Sequence, residues 1–260
     1  MNNPPNGDTL RTYIAKTYFS LRFGMAAIAV LLPVFLLIFG PGDDFPKPDS
    51  ISGYYHTPLR DGFVGALVTM GTFLVLYKIF SRRENWLLNI AGTSAILVAV
   101  LPCAVPDGRP PAAYAFPHLH AIFAIITFVS IGLVAILCAT GTVGLLPAGK
   151  QNIFRIIYRT IGVLMIVLPG VVFVFDMAGW VNLFWVEAAG LWVFGAYWFV
   201  KTFEFSITGV EQQVIMGTGG PAPGGPVTGG PAGGAVGDLG AGCPLAACPL
   251  ADRQGEGTKR

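Results

Sequence analysis

Charged side chains are scarce in this sequence of 260 residues, of which only 12 % are Asp, Glu, Lys or Arg. Soluble globular proteins carry about 25 %. Hydrophobic residues make up 53 % of the chain, and the mean hydropathy is +0.64. These values exclude a soluble globular domain and indicate a polytopic membrane protein with the lipid bilayer as its partner. The net charge of +2 needs no nucleic-acid partner, because basic residues beside membrane spans account for it.

Cysteine is also scarce, and four scattered residues exclude a disulfide scaffold. Cys243 and Cys248 lie in a C-terminal segment rich in Gly, Pro and Ala, with a five-residue repeat such as "GGPAP" and "GGPVT". Such a segment has few large apolar groups to bury. We therefore predict a transmembrane domain over 1–207 and a disordered cytoplasmic tail over 208–260. The five-residue spacing of Cys243 and Cys248 either results from divergence of the repeat or marks a metal-binding or redox pair.

Six runs are apolar enough to cross the roughly 30 Å hydrocarbon core, which requires about 20 residues of helix. They lie at about 23–40, 61–80, 86–105, 118–140, 156–176 and 181–201. Their length favours helices, since backbone groups in lipid need internal hydrogen bonds. The predicted fold is an all-α bundle of six transmembrane helices. The first run reads as a retained anchor, because "LLIFGPGDD" lacks the small-residue pattern of a signal-peptide cleavage site.

The basic residues predict the orientation, because loops rich in Lys and Arg stay on the cytoplasmic side. Under this six-span scheme, 13 Lys and Arg residues fall on one side and 3 on the other. Both termini are then cytoplasmic, in a multi-pass protein of the inner (plasma) membrane. No ionisable residue is expected deep in the inner half of any span.

The acids and histidines concentrate at the outer side, and three of them are candidate site residues. Asp61 starts the second span, where it caps the helix, pairs with Arg60 or serves a site. Glu187 lies within an apolar, aromatic span, where a carboxylate is costly and is by default a functional hypothesis. Its alternative role is a hydrogen bond between helices. His120 shares a helix face with Ala124 and Thr127, and it is a ligand, a base, a proton relay or a satisfied interfacial residue.

The segments "SISGYYHTPLRDGFVGAL" (50–67), "YKIFSRRENWLLNIAG" (77–92), "LHAIFA" (119–124) and "FWVEAAGLWVFGAYWFVK" (184–201) carry a family resemblance. In them the chain resembles uncharacterised bacterial integral membrane proteins that form a family of unknown function. That resemblance implies a six-span bundle, supplies no activity, and singles out Arg60, Asp61, His120 and Glu187.

A second, distant resemblance rests on Ser52 and His56, which form S-x-x-x-H and are followed by Asp61. In this pattern the chain is similar to the superfamily of alkaline ceramidases and progestin and adipoQ receptors. Those are seven-span proteins that hold zinc through three histidines, two of them in a late H-x-x-x-H. This chain has no histidine after His120.

Three functions remain open from the sequence. The first is a lipid-binding, ligand-binding or scaffold bundle in which Asp61, His120 and Glu187 form a polar cluster near the outer leaflet. The second is a metal-dependent intramembrane hydrolase of a lipid amide or ester, with zinc held by His56, His120 and Asp61 or Glu187. The third is a transporter or proton relay. The first two functions require the candidate residues to meet in one pocket just beneath the outer membrane surface.

Overall fold

The structure is a computed structural model that describes residues 7–40, 47–78, 81–103, 117–178 and 183–209. Every regular element in these ranges is helical, which agrees with the predicted all-α class. The tail beyond residue 209, with its predicted disorder and its two cysteines, lies outside the described residues.

Each of the six apolar runs contains a helix. Several helices extend beyond the run, whereas those of the second and third runs end at Leu76 and Val100, short of the predicted 80 and 105. The helices are α1 (Gly7–Ile38), α2 (Arg60–Leu76), α3 (Arg82–Val100), α4 (Pro117–Leu133), α5 (Ala139–Val143), α6 (Ala148–Ala178) and α7 (Leu183–Thr208). A 3-10 turn, Ser52–His56, precedes α2, and a π-helical segment, Val134–Cys138, joins α4 to α5. The first run is therefore the C-terminal part of a 32-residue helix.

Four helical stretches are long and apolar enough to cross a membrane. They are Thr12–Ile38, His118–Val143, Ala148–Val171 and Leu183–Thr208. The two remaining helices are shorter, since α2 has 17 residues and α3 has 19. At 1.5 Å per residue they measure about 25 Å and about 28 Å.

The four long helical stretches and the two shorter helices pack in a closed cycle. Contacts run from α1 to α2, α3, α4, α6 and α7 in turn, and α7 packs back against α1. The core inside this cycle contains the fully buried side chains of Met25, Leu36, Leu88 and Trp198. This arrangement leaves inward-facing side chains of different helices close enough to form shared sites.

Two pairs of glycines mark close approaches between helices. A Cβ on Gly71 of α2 would lie 2.6 Å from the carbonyl oxygen of Gly92 in α3, and a Cβ on Gly92 would lie 2.5 Å from that of Gly71. Gly132 of α4 and Gly162 of α6 approach each other in the same way, at 2.9 and 2.8 Å. Small residues at such crossings allow helix backbones to pack directly against each other.

The last helix ends where the composition changes. Thr208 is its final residue, and Gly209 follows with φ +61°. Its N–H donates to the carbonyl of Phe205. A glycine in this left-handed conformation is a common helix terminator, because it lacks the Cβ that would clash. The helix therefore continues one residue past the predicted end of the transmembrane domain at 207.

Candidate functional site

Glu187, in the first turns of α7, is held by the 3-10 turn. One carboxylate oxygen accepts a hydrogen bond from the backbone N–H of Ser52 at 3.0 Å, and the other accepts from the Ser52 hydroxyl at 3.2 Å. The N–H of Phe184 donates to the carbonyl of Asp49 at 2.6 Å. These contacts fasten the segment before α2 to the start of α7, so the costly carboxylate has defined partners.

The end of α3 brings further polar groups to the same place. The thiol of Cys103 donates to the carbonyl of Ser52 at 3.2 Å, and Nε2 of His56 lies 3.3 Å from the carbonyl oxygen of Cys103. The pKa of the Cys103 thiol is raised to about 11, mainly because the thiol is buried and secondly because the charge of Glu187 is nearby. The thiol is thus neutral at physiological pH and serves as a donor.

His120 occupies the first turns of α4, and its side chain is buried. Its Nδ1 lies 2.8 Å from the carbonyl oxygen of Leu101. A carbonyl oxygen can only accept, so Nδ1 carries the hydrogen, and in a neutral imidazole Nε2 is then an acceptor. The predicted inward face is confirmed, because His120, Ala124 and Thr127 line one cavity.

That cavity has a volume of about 120 Å³ and lies between α2, α3, α4 and α7. Its polar lining comprises Ser52, His120, Thr127 and Glu187. The apolar lining comprises Ile51, Phe63, Leu67, Met70, Leu74, Ala95, Val98, Ala124, Phe128, Leu191 and Phe194. An engineered apolar cavity of ~150 Å³ is large enough to bind benzene. The space therefore fits a short apolar group beside a few polar atoms.

Asp61 does not join this cavity. Asp61 is exposed in the first turn of α2. An acidic residue is favoured there, because the N-terminal end of the helix dipole is positive. The neighbouring Arg60 donates to the hydroxyl of Tyr55 at 2.8 Å. Two of the three candidate site residues, His120 and Glu187, thus line one cavity, and Asp61 lies outside it.

Among the described residues, which include His56, Asp61, His120 and Glu187, no group of three or more His, Cys, Asp or Glu side chains is arranged to hold a metal ion. The zinc-dependent hydrolase remains a prediction from the sequence.

A second polar cluster, which the sequence analysis missed, lies at the other end of α7. Lys201 and Glu204 are fully buried and form an ion pair of 3.3 Å. Lys201 also donates to the hydroxyl of Thr142 at 2.8 Å, and Tyr158 donates its hydroxyl hydrogen to Glu204. Helix α7 continues past the predicted span end at 201 to Thr208, and both side chains are buried among the helices. The expectation about the inner half of each span concerns depth in the bilayer, so it stays a prediction.

Two further charged residues are buried in this region. Arg22 of α1 is 1 % exposed, donates to the hydroxyl of Tyr77 at 3.1 Å, and stacks its guanidinium 4.8 Å from the ring centre of Phe205. Glu84, in the first turn of α3, is 2 % exposed. We call Arg22, Glu84, Lys201 and Glu204 the buried charge cluster. It combines two cations with two carboxylates from three helices, so its formal charges balance.

A sequence signal for this cluster was available. The predicted end of the sixth apolar run at 201 depended on one assumption, that the first charged residue marks the membrane boundary. The continuation "KTFEFSIT" still places apolar or aromatic residues between its charges, and Lys201 and Glu204 are spaced i, i+3 on one helix face. Opposite charges at this spacing can pair with each other, so the helix that carries them can continue past Lys201 with both charges buried.

The chain matches no family model, no curated protein and no solved structure.

Proposed function

We propose that this chain is a six-span protein of the plasma membrane, with both termini cytoplasmic, that binds a small amphipathic ligand in the cavity lined by His120 and Glu187. The observation that carries the ligand proposal is the pairing of a largely apolar cavity with two ionisable side chains. Binding pockets for small molecules typically have this composition, a mostly apolar wall with a few placed polar groups.

The six-span arrangement is supported by the lengths of α2 and α3, about 25 Å and about 28 Å, which are close to the hydrocarbon thickness of ~30 Å. It is also supported by the distribution of Lys and Arg, 13 against 3. Fusions of a reporter that is active on one side only test it. We expect a cytoplasmic reporter after Lys78 and after Gly209, and an extracytoplasmic reporter after Cys103. An extracytoplasmic signal after Gly209 contradicts the proposed orientation.

The ligand proposal is supported by how the cavity is built. Glu187 is oriented by two hydrogen bonds from Ser52, and His120 is oriented by the carbonyl of Leu101. Polar groups that are fixed in advance lose less entropy when a ligand binds. The residues that fix them come from the end of α3 and from the 3-10 turn, so the polar end of the cavity is set by contacts between segments.

Photolabelling with a short alkyl diazirine tests ligand binding. In the purified full-length protein we expect saturable labels on cavity residues such as Met70 and Phe128. Ala124→Leu places three extra carbon atoms in the cavity and should remove these labels. Ala121→Leu is the matched control, because Ala121 is exposed on the same helix and is not part of the lining. Equal labelling of the cavity residues in both variants, or no saturable label on them in the wild type, contradicts the proposal.

A further inference from the structure

Exposed charges have one sign at the end of the bundle that holds the buried charge cluster. Among the residues whose side chains the structure describes, those exposed at this end are Lys16, Lys78, Arg82, Arg83, Lys150, Arg155 and Arg159. The described acids of this end, Glu84 and Glu204, are buried, and Glu204 pairs with Lys201 inside the bundle. Within the described part of the chain no acid is exposed beside these cations, so their counter-ions come from the surroundings.

Two of these cations lie one turn apart on α6. Arg155 and Arg159 are spaced i, i+4, so their side chains are neighbours on one helix face. That face points away from the bundle, because Phe154, Tyr158 and Ile161 occupy the buried side of the helix. Two like charges at this spacing repel each other. A phosphate group between them relieves the repulsion, and guanidinium groups are suited to bidentate phosphate binding.

The same face continues along α6 as an apolar surface. Val163 and Val167 follow Arg159 at four-residue steps and are 51 % and 49 % exposed. Beyond them a groove of about 420 Å³ is lined by Val167, Gly170, Val171 and Val174. Gly170 is 11 residues beyond Arg159, which corresponds to about 16 Å of helix. One leaflet contributes roughly 15 Å of hydrocarbon, so a lipid chain anchored at Arg159 ends beside this groove.

We propose that this outward face of α6 binds an anionic phospholipid. The phosphate lies between Arg155 and Arg159, and one acyl chain follows Val163 and Val167 to the groove beside Gly170. Under the proposed orientation the lipid belongs to the cytoplasmic leaflet, whose surface is negative. The site is separate from the cavity of the proposed function, which lies between α2, α3, α4 and α7.

Lipid binding to the purified full-length protein tests the headgroup site. Native mass spectrometry from a non-ionic detergent compares phosphatidylglycerol with phosphatidylcholine of the same acyl chains. A basic residue near an anionic lipid surface contributes a factor of about five in affinity. We therefore expect Arg155→Gln combined with Arg159→Gln to weaken the tightest phosphatidylglycerol site about 25-fold, and to change phosphatidylcholine binding much less.

Arg82→Gln combined with Arg83→Gln is the matched control. It removes two exposed charges at the same end of the bundle, but from α3, and should leave the tightest site nearly unchanged. An equal loss of phosphatidylglycerol binding in both double variants shows a general attraction to basic residues and overturns the site on α6.

Gly170→Leu tests the path of the acyl chain. A Cβ on Gly170 meets nothing within 4 Å, so leucine fills the groove without disturbing the helix packing. Phosphatidylglycerol with a diazirine at the end of one acyl chain should label residues 167–174 in the wild type and much less in this variant. Gly149→Leu is the control, because a Cβ there also meets nothing within 4 Å and the position precedes the two arginines.

The opposing outcomes are distinct. Equal affinity of the wild type for phosphatidylglycerol and phosphatidylcholine overturns the proposal. Displacement of phosphatidylglycerol by the same concentration of glycerol 3-phosphate overturns it too, because the site then binds a free phosphate. Equal labelling of 167–174 in Gly170→Leu and Gly149→Leu overturns the path of the chain. None of these results affects the labelling of the cavity, so the proposed function is tested separately.

Melting temperatures show whether the variants fold. Should the variant of Arg155 and Arg159 not fold, added salt on the wild type takes its place. Salt screens exposed charges, so we expect it to abolish the preference for phosphatidylglycerol. A preference that persists at high salt contradicts the pairing of phosphate with arginine.

Discussion

Lys201 and Glu204 form an ion pair one turn apart on α7, and both side chains are completely buried. Tyr158 from α6 supplies a hydrogen bond to the carboxylate, and Thr142 from α5 accepts one from the ammonium. The pair therefore ties α7 to two neighbouring helices. Charges buried in this way are stable only with compensating partners, since removing them from water costs several kcal/mol per ion.

Loss of one member of this pair should destabilise the protein strongly. We expect Lys201→Met to lower the free energy of unfolding by about 3–5 kcal/mol, because Glu204 is left buried without its cation. The double variant Lys201→Met with Glu204→Gln should recover much of this loss, since the amide still accepts from Tyr158. Unfolding of the purified protein in mixed micelles measures both. Lys150→Met, at an exposed position of α6, is the control, and an equal loss there contradicts the explanation.

The contact between α2 and α3 should not tolerate a methyl group. A Cβ on Gly71 would lie 2.6 Å from the carbonyl oxygen of Gly92 and 2.7 Å from Ile96. We expect Gly71→Ala to destabilise the protein by about 1–3 kcal/mol through overpacking.

Gly65 on the same helix provides the matched substitution, because a Cβ there meets nothing within 4 Å. Gly65→Ala should be neutral or stabilise by up to about 1 kcal/mol through helix propensity. Melting temperatures of the two variants provide the comparison. A similar decrease for both would show that the crossing is not the cause.

The role of His120 separates the scaffold and ligand-binding hypotheses from the zinc hypothesis. We expect His120→Ala to lower stability by about 1–3 kcal/mol, because the carbonyl of Leu101 loses its donor. The zinc content per chain, measured by elemental analysis, should equal that of the wild type. His118→Ala is the control, because His118 is an exposed neighbour on the same helix, and it should change neither the stability nor the zinc content. Loss of bound zinc in His120→Ala alone would favour the hydrolase.

The pKa of Cys103 predicts a pH-dependent reactivity. Only the thiolate reacts with an alkylating reagent, and burial raises this pKa from 9.0 to about 11. The alkylation rate at Cys103 should therefore be very low near pH 8 and should rise about tenfold per pH unit towards pH 11. Site-resolved mass spectrometry of short reaction times measures it. In the unfolded protein the rate should level off near pH 9, and a similar plateau in the folded protein would contradict the burial of the thiol.

Hydropathy was sufficient to predict a helix in each of the six apolar runs, four of which belong to helical stretches long and apolar enough to cross a membrane. It did not predict the burial of two basic residues, Arg22 in α1 and Lys201 in α7. Both were taken as membrane-boundary residues, and their environment depends on partners on other segments, such as Tyr77 at the end of α2 and Thr142 in α5. Periodicity along one helix contains no information about such partners.

In the candidate site, too, local sequence patterns predicted some features, and contacts between distant residues could not be predicted. The cost of a carboxylate in an apolar span singled out Glu187, and helix-face spacing placed His120 with Ala124 and Thr127, as the cavity lining confirms. The bond from Ser52 to Glu187 joins residues 135 positions apart, and no local pattern encodes it. Asp61 was grouped with the other two on its polarity and on the family resemblance, and neither distinguishes a helix-dipole position from a cavity wall.

The π-helical segment Val134–Cys138 accommodates one extra residue between α4 and α5. A π turn holds one more residue than an α turn, so the helix rotates by about the same angle over the longer segment. Deletion of one amino acid there would restore regular α geometry and leave Thr142 directed at the ammonium of Lys201. The irregular turn thus lets the chain carry an additional residue without turning this hydroxyl away from its partner.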